Sequence, residues 1–249
     1  MFSASGSGSS SLIAEREHDK YYLCQEANGK EVLEWQMGGS IMCNALCALL
    51  KEPQTNVYTY YVDEEKVSTL KKEAVANQSD PNLFVSTNDL LSAHFADVTD
   101  LSTCLIAMNF RKRVSCLGEN LAGNYEGALL FDRESCTDPV LIRKTLQAGP
   151  PFRHASGAPV PGCCNTCCSQ KLGLITNWAS FFSGDLAIPG SEQVMHMPIC
   201  DPSQCPWPIA VVFRPCKGKT AIMYFLQRQD STDLLGGNSP LGAPFNACQ

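Results

Sequence analysis

The sequence is short of charge and shorter still of histidine. Of its 249 residues only 18% are Asp, Glu, Lys or Arg, against roughly a quarter in ordinary soluble domains. Ser, Thr, Asn, Gln and backbone must therefore supply much of the polar surface. Nineteen basic residues stand against 25 acidic ones, a net charge of −6, and the one compact basic cluster is Arg111, Lys112 and Arg113. Nucleic-acid binding needs several cooperating phosphate contacts, which this balance excludes. A single anionic ligand at that cluster remains allowed.

Long apolar runs are missing as well. The longest, around residues 41–50 and 209–213, fall short of the roughly 18 residues that span a bilayer, so no membrane partner is expected. The first eleven residues are nearly all Ser, Gly and Ala, without the basic and apolar regions of a secretory signal. The expectation is a flexible arm over residues 1–19, a cytoplasmic location, and thiols rather than disulfides for most of the 14 cysteines. Neither G-x-G-x-x-G nor G-x-x-x-x-G-K-[ST] occurs, which leaves nucleotide chemistry unsupported. The one Gly-x-Gly-Ser run, at Gly6 to Ser9, lacks the strand and helix that expose a serine nucleophile.

What is present suffices for a core, since 44% of residues are hydrophobic. Residues 20–35 read as two short segments around Asn28-Gly29, a tight hairpin turn. Ser40 caps a helix whose Ile41, Ala45, Leu46, Leu49 and Leu50 share helical spacing. Cys43 and Cys47 lie one turn apart on it, either filling a core, the simpler reading, or holding a metal. Residues 56–62 are a strand rich in Tyr, Val and Thr. Asp63 then caps a helix over 63–76, with Glu64 and Glu65 in its first turn and Lys71 and Lys72 near its end, the order a helix dipole favours.

Thr87 opens another helix through Leu90, Leu91 and His94, and strands follow at 104–110 and 127–131. Asp138 and Pro139 start a third helix that Gly149 ends. Residues 149–169 carry Gly, Pro and Cys without periodicity and read as a long loop. Strands are expected at 172–176, 193–197, 209–214 and 220–227, and an irregular tail over 230–249. Helices interleaved with strands define an α/β (α+β) layered domain over residues 20–229.

Candidate chemistry is sparse. His18, His94, His154 and His196 are the histidines, and a general base needs a partner that fixes its tautomer and an open path to substrate. His94 lies three residues before Asp97 and His196 five before Asp201, so these two are the candidates. The run Cys163-Cys164-Asn165-Thr166-Cys167-Cys168 contains a Cys-x-x-Cys pair, Cys164 and Cys167, a spacing that brings two thiolates to one tetrahedral zinc. Cys200 and Cys205 offer a second pair. A redox dithiol, or a Cys-rich loop with no chemistry, are the competing readings.

From residue 85 the order of motifs becomes specific. Val85-Ser86-Thr87-Asn88-Asp89-Leu90-Leu91, then Met108-Asn109-Phe110-Arg111-Lys112-Arg113, then Gly123-Asn124-Tyr125 resembles the second half of the plant-type CoA-dependent acyltransferases, the BAHD or HxxxD family. There a helix opening with Ser-x-x-Asp leads to a strand ending in Asp-x-Arg-x-Arg and then to a Gly-Asn turn. Ile142-Arg143 and Thr176-Asn177-Trp178 extend the likeness, which covers residues 55–228.

The resemblance implies a chloramphenicol-acetyltransferase-like mixed sheet with helices packed on one face. It also implies acyl transfer from acyl-CoA to an alcohol or amine acceptor, with no permanently bound cofactor. Asn124 and Trp178 are then expected near the substrate channel, and Arg111 is expected to pair with Asp185, which survives from the family's Asp-Phe-Gly-Trp-Gly motif in Asp185-Leu-Ala-Ile-Pro-Gly190. The family's base lies in His-x-x-x-Asp, which this sequence does not contain. The expectation is therefore an acyltransferase C-terminal-like domain, weak or inactive alone as a truncated or split enzyme, with His94 or His196 as a substitute base. The alternatives are a protein-binding module or homo-oligomer of the same fold, and a zinc-stabilised scaffold.

Overall fold

The computed structural model describes residues 25–51, 55–114, 126–152, 159–168, 170–179, 189–190, 195–199, 201, 206–227 and 233–245. Strand β1 (Thr55–Val62) is followed by β2 (Thr103–Asn109), β3 (Glu126–Asp132), β4 (Leu172–Asn177), β5 (Ile209–Phe213), β6 (Ala221–Gln227) and β7 (Leu241–Pro244). They form one mixed sheet in the order β3-β2-β4-β5-β6-β1-β7. The central trio β2, β4 and β5 runs parallel, and the remaining neighbours are antiparallel. The mixed α+β class read from the sequence is the class observed.

Period-two alternation assigns each side chain to a face. Cys104, Ile106, Met108, Leu129, Phe131, Val212, Ile222 and Tyr224 point to the larger core. Their neighbours Leu105, Leu130, Val211, Phe213, Met223 and Phe225 point the other way. Both faces are apolar because both are covered, the condition that parallel strands impose.

Four helices cover the larger core: α3 (Glu64–Val75), α4 (Thr87–Val98), α5 (Arg133–Thr137) and α6 (Pro139–Ala148). To keep the numbering in chain order, α1 is Lys30–Gln36, α2 is Gly39–Lys51 and α7 is Cys163–Cys168. The Asp63 and Asp138 caps read from the sequence are in place, whereas Ser40 lies inside its helix, which begins one residue earlier at Gly39. The Asp63 carboxylate accepts from the Glu65 and Lys66 amides. That of Asp138 accepts from Val140, with Pro139 at the first helical position and Gly149 closing the helix at φ 80°. Beyond the expected helical layer, α1 and α2 lie on the opposite face, where Trp35 and Ile41 pack on Leu105, Leu130 and Leu172.

Four local expectations are corrected. Residues 25–28 are helical rather than extended, and Gly29 uses its φ of 79° to link them to α1, not to turn a hairpin. Its amide donates to Gln25 and its carbonyl accepts from Leu33, at 2.8 and 3.2 Å. The Cys-rich run 163–168 is a helix, held by the buried Thr166. Residues 195–197 are not a strand. Part of the expected tail contributes β7 beside β1, with Val62 opposite Leu241. No helix among the described residues is long and apolar enough to cross a membrane.

Candidate functional site

Because β2 and β4 are parallel, with Thr103 opposite Leu172 and Ile106 opposite Ile175, their carboxyl ends finish side by side. The amino end of α4 sits there too. In open α/β sheets the space outside the carboxyl ends of strands is where ligands bind. A cleft of about 370 Å³ occupies this position, and Asn88, Asp89, Arg111, Arg113, Arg143 and Asn177 are among its lining residues.

Each polar side chain here is fixed by its element. Ser86 and Asp89 form a reciprocal capping box: the Ser86 hydroxyl accepts from the Asp89 amide at 3.2 Å, and Asp89 Oδ2 accepts from the Ser86 amide at 2.7 Å. The same Oδ2 accepts from Arg143 Nε and Nη2 at 2.8 and 2.6 Å. Asp89 is fully buried, yet its Oδ1 has no hydrogen-bond partner among the described residues. Phe84 stacks on the Arg143 guanidinium, 4.5 Å from charge to ring centre. Across the cleft Asn177 Nδ2 donates to Asn88 Oδ1 at 2.9 Å, tying the end of β4 to α4. At the end of β2, Asn109 Oδ1 accepts from the Arg111 amide and from Arg111 Nη1, at 3.0 and 3.3 Å. Arg111, Arg113 and Arg143 face the carboxylates of Asp89 and Glu126 around this space, leaving it with a net positive formal charge suited to an anion.

The sequence-derived candidates divide. Arg111 is in the cleft, whereas Asp185 and Asn124 lie outside the described residues. Trp178 packs instead on the opposite face with Val211, Phe213 and Met223, its amide donating to the Val212 carbonyl at 2.7 Å. His94 does not line the cleft. Its Nδ1 is 3.2 Å from the Tyr224 hydroxyl, and burial pulls its pKa down from 6.5 to about 4, against smaller raising effects from the Leu234 backbone and Asp97. Such an imidazole is neutral and a weak base. Burial likewise raises the Tyr224 phenol. His196 is half-buried, its amide donating to the Pro215 carbonyl at 2.8 Å, and is also absent from the cleft lining.

The cysteines are arranged otherwise than their spacing implied. Cys164 is exposed and not grouped with Cys167, and Cys200 and Cys205 lie outside the described residues. Cys167 is instead bonded to Cys43, with Cα atoms 5.5 Å apart, and Cys47 Sγ completes a cluster in which all three sulfurs lie within 4.8 Å of one another. Cys104 and Cys136 are buried thiols in the larger core, and burial pushes Cys136 up to about 12. The residues the sequence did not pair are Asp89 and Arg143, 54 positions apart. Ser-x-x-Asp and Ile142-Arg143 each stand out in the motif order, but nothing in the sequence joins them.

No protein-family model and no curated protein sequence matches the chain. Solved structures similar to it include F. graminearum TRI101 in complex with coenzyme A and deoxynivalenol, at 17% identity and a TM-score of 0.43, covering 72% of this chain and 47% of that one. Vinorine synthase is similar at 18% identity and a TM-score of 0.44, covering 72% and 45%. The polyketide synthase associated protein 5 of Mycobacterium tuberculosis is similar at 14% and 0.43, covering 71% and 49%. The chain thus spans about half the length of these structures.

Proposed function

We propose that the chain is an acyl-CoA-binding domain of the acyltransferase type, serving acyl transfer from a CoA thioester to an alcohol or amine. The observation that carries this reading is the arginine-lined cleft at the carboxyl ends of β2 and β4, beside the amino end of α4. Phosphate oxygens of CoA match guanidinium forks and a helix amino terminus, both of which favour negative charge. The motif order from Ser86 to Trp178 supports the same assignment.

Acyl transfer also needs a base to take the acceptor's proton. His94 is buried and neutral, and no His-x-x-x-Asp is present, so the base comes from outside the described cleft. The arginines bind and orient the donor, and the Asp89–Arg143 pair holds the wall on which it rests.

Calorimetric titration with CoA, dephospho-CoA and a phosphate-free pantetheine thioester tests the reading. Binding should weaken at least about tenfold as phosphates are removed, and by roughly a further hundredfold in an Arg111→Ala, Arg113→Ala double variant, on the scale of charged hydrogen bonds. No binding of CoA at millimolar concentration, or binding indifferent to both arginines, overturns it. A second reading, a protein-binding module, draws on the exposed Met42, Leu46 and Leu50 of α2. Sedimentation that finds only monomers removes its self-association form.

A further inference from the structure

Helices α2 and α7 are separated by more than a hundred residues and are held together by buried hydrogen bonds around one threonine. Trp35 Nε1 donates to Thr166 Oγ1 at 2.7 Å, and Asn44 Nδ2 donates to the Thr166 carbonyl at 2.7 Å and the Gln170 carbonyl at 3.0 Å. The Asn44 amide oxygen in turn accepts from Trp207 Nε1 at 2.8 Å. Asn44 and Thr166, both buried, are each next in sequence to a cysteine of the cluster. The clamp therefore fixes where Cys43 and Cys167 stand, whether or not a bond joins their sulfurs.

Three features separate this cluster from an ordinary bridge. Cys47 adds a third sulfur that a disulfide has no use for, one helical turn from Cys43 and on the same face. The Cys47 sulfur lies within 4.8 Å of both bonded sulfurs, close to the roughly 3.8 Å between thiolates that share a metal at about 2.3 Å, a separation the Cys43 and Cys167 sulfurs take up only once their bond is reduced. Finally, Cys47 and Cys167 open onto a cavity of about 210 Å³ that Lys171 also lines, with room for a fourth ligand and a positive charge to offset three thiolates.

We propose that Cys43, Cys47 and Cys167 of the reduced chain bind one zinc ion as a three-thiolate site whose fourth position faces this cavity. The bridged and metal-bound forms exclude each other. A dithiol reductant converts the Cys43–Cys167 disulfide to two thiols and is itself oxidised to a disulfide, and zinc then displaces three protons from the three thiols. Soft thiolate donors select zinc or copper(I) over harder ions. The site joins the helices on one face of the sheet and is independent of the arginine cleft.

The test is titration of the full-length reduced chain with zinc(II) against a chromogenic chelator, with metal content measured after gel filtration. One zinc per chain is expected. Cys47→Ser, which leaves the Cys43 and Cys167 thiols in place, should weaken binding at least about a hundredfold while circular dichroism stays that of the parent. Two further variants should retain the zinc: Cys163→Ser with Cys164→Ser and Cys168→Ser, and Cys200→Ser with Cys205→Ser. Fewer than about 0.2 zinc per reduced chain overturns the proposal. So does zinc indifferent to Cys47→Ser, or zinc lost with either of the other sets. Copper(I) bound in preference to zinc would overturn the choice of metal.

Discussion

Arg143 grips Asp89 through both Nε and Nη2, and both bonds end on the same carboxylate oxygen, at 2.8 and 2.6 Å. That oxygen also receives the Ser86 amide at 2.7 Å, so one atom joins the start of α4, the turn before it and the middle of α6. The carboxylate is fully buried, and 15% of the arginine side chain is exposed. This is the regime in which removing one partner costs far more than an exposed ion pair is worth. Asp89→Ala should lower unfolding stability by about 3–5 kcal/mol, read from urea denaturation. A loss below about 1 kcal/mol would place the pair among exposed ones.

His94 makes stability depend on pH. Its folded pKa of about 4 lies below the 6.5 of the unfolded chain, so between these values the unfolded state binds more protons. Stability therefore rises with pH across this window and is lost as pH falls from about 6.5 towards 4, by up to roughly 3 kcal/mol from this group. Comparing His94→Gln with the parent chain by denaturation at pH 7 and pH 5 should show a flatter pH dependence in the variant. Equal slopes would contradict this.

Gly173, in β4, has no room for a methyl group. A Cβ there would meet the Leu101 side chain, with Cδ2 at 2.9 Å and Cδ1 closer still, and Leu101 is itself fully buried. Gly173→Ala should cost about 1–3 kcal/mol, as overpacking does. Pairing it with Leu101→Ala, which makes room for the methyl, should cost less than the sum of the two single losses, a difference that a double-mutant cycle measures.

Acyl transfer by this chain alone should be slow. A positioned base is worth about 10²- to 10⁴-fold, and His94 is neutral and away from the cleft. Thiol release from acyl-CoA in the presence of simple alcohols should stay near the uncatalysed rate. Robust turnover would point to a base not yet assigned, and His196→Ala would test the remaining candidate.

Much of this architecture follows from local chemistry. Asp63, Ser86 and Asp138 announce their helices because a capping side chain acts within three residues of itself, and β2 to β6 announce themselves by β-branched and apolar runs. Asn28-Gly29 does not separate a hairpin from a helix junction, because positive φ serves both equally well. The helix at Cys163 to Cys168 was hidden because what holds it is Trp35 and Asn44, far away in sequence. The same distance hid the Asp89–Arg143 contact and the meeting of Cys43 with Cys167. Arg111 stands out in the sequence within its one basic cluster and lines the cleft, whereas the place of Trp178 depends on which side of the sheet β5 and β6 present.

Strand β1 takes its partners from the far end of the chain, Thr55 lying opposite Gln227 and Val62 opposite Leu241. During synthesis at roughly 5–20 residues per second, the segment carrying Tyr58, Tyr60 and Tyr61 waits on the order of ten seconds or more for β6 to emerge. Until then both of its edges are open to any other strand. A ribosome stalled between residues 62 and 221 would thus hold out an aromatic strand with no native partner, and the yield of this protein should depend on what shields that strand in the interval.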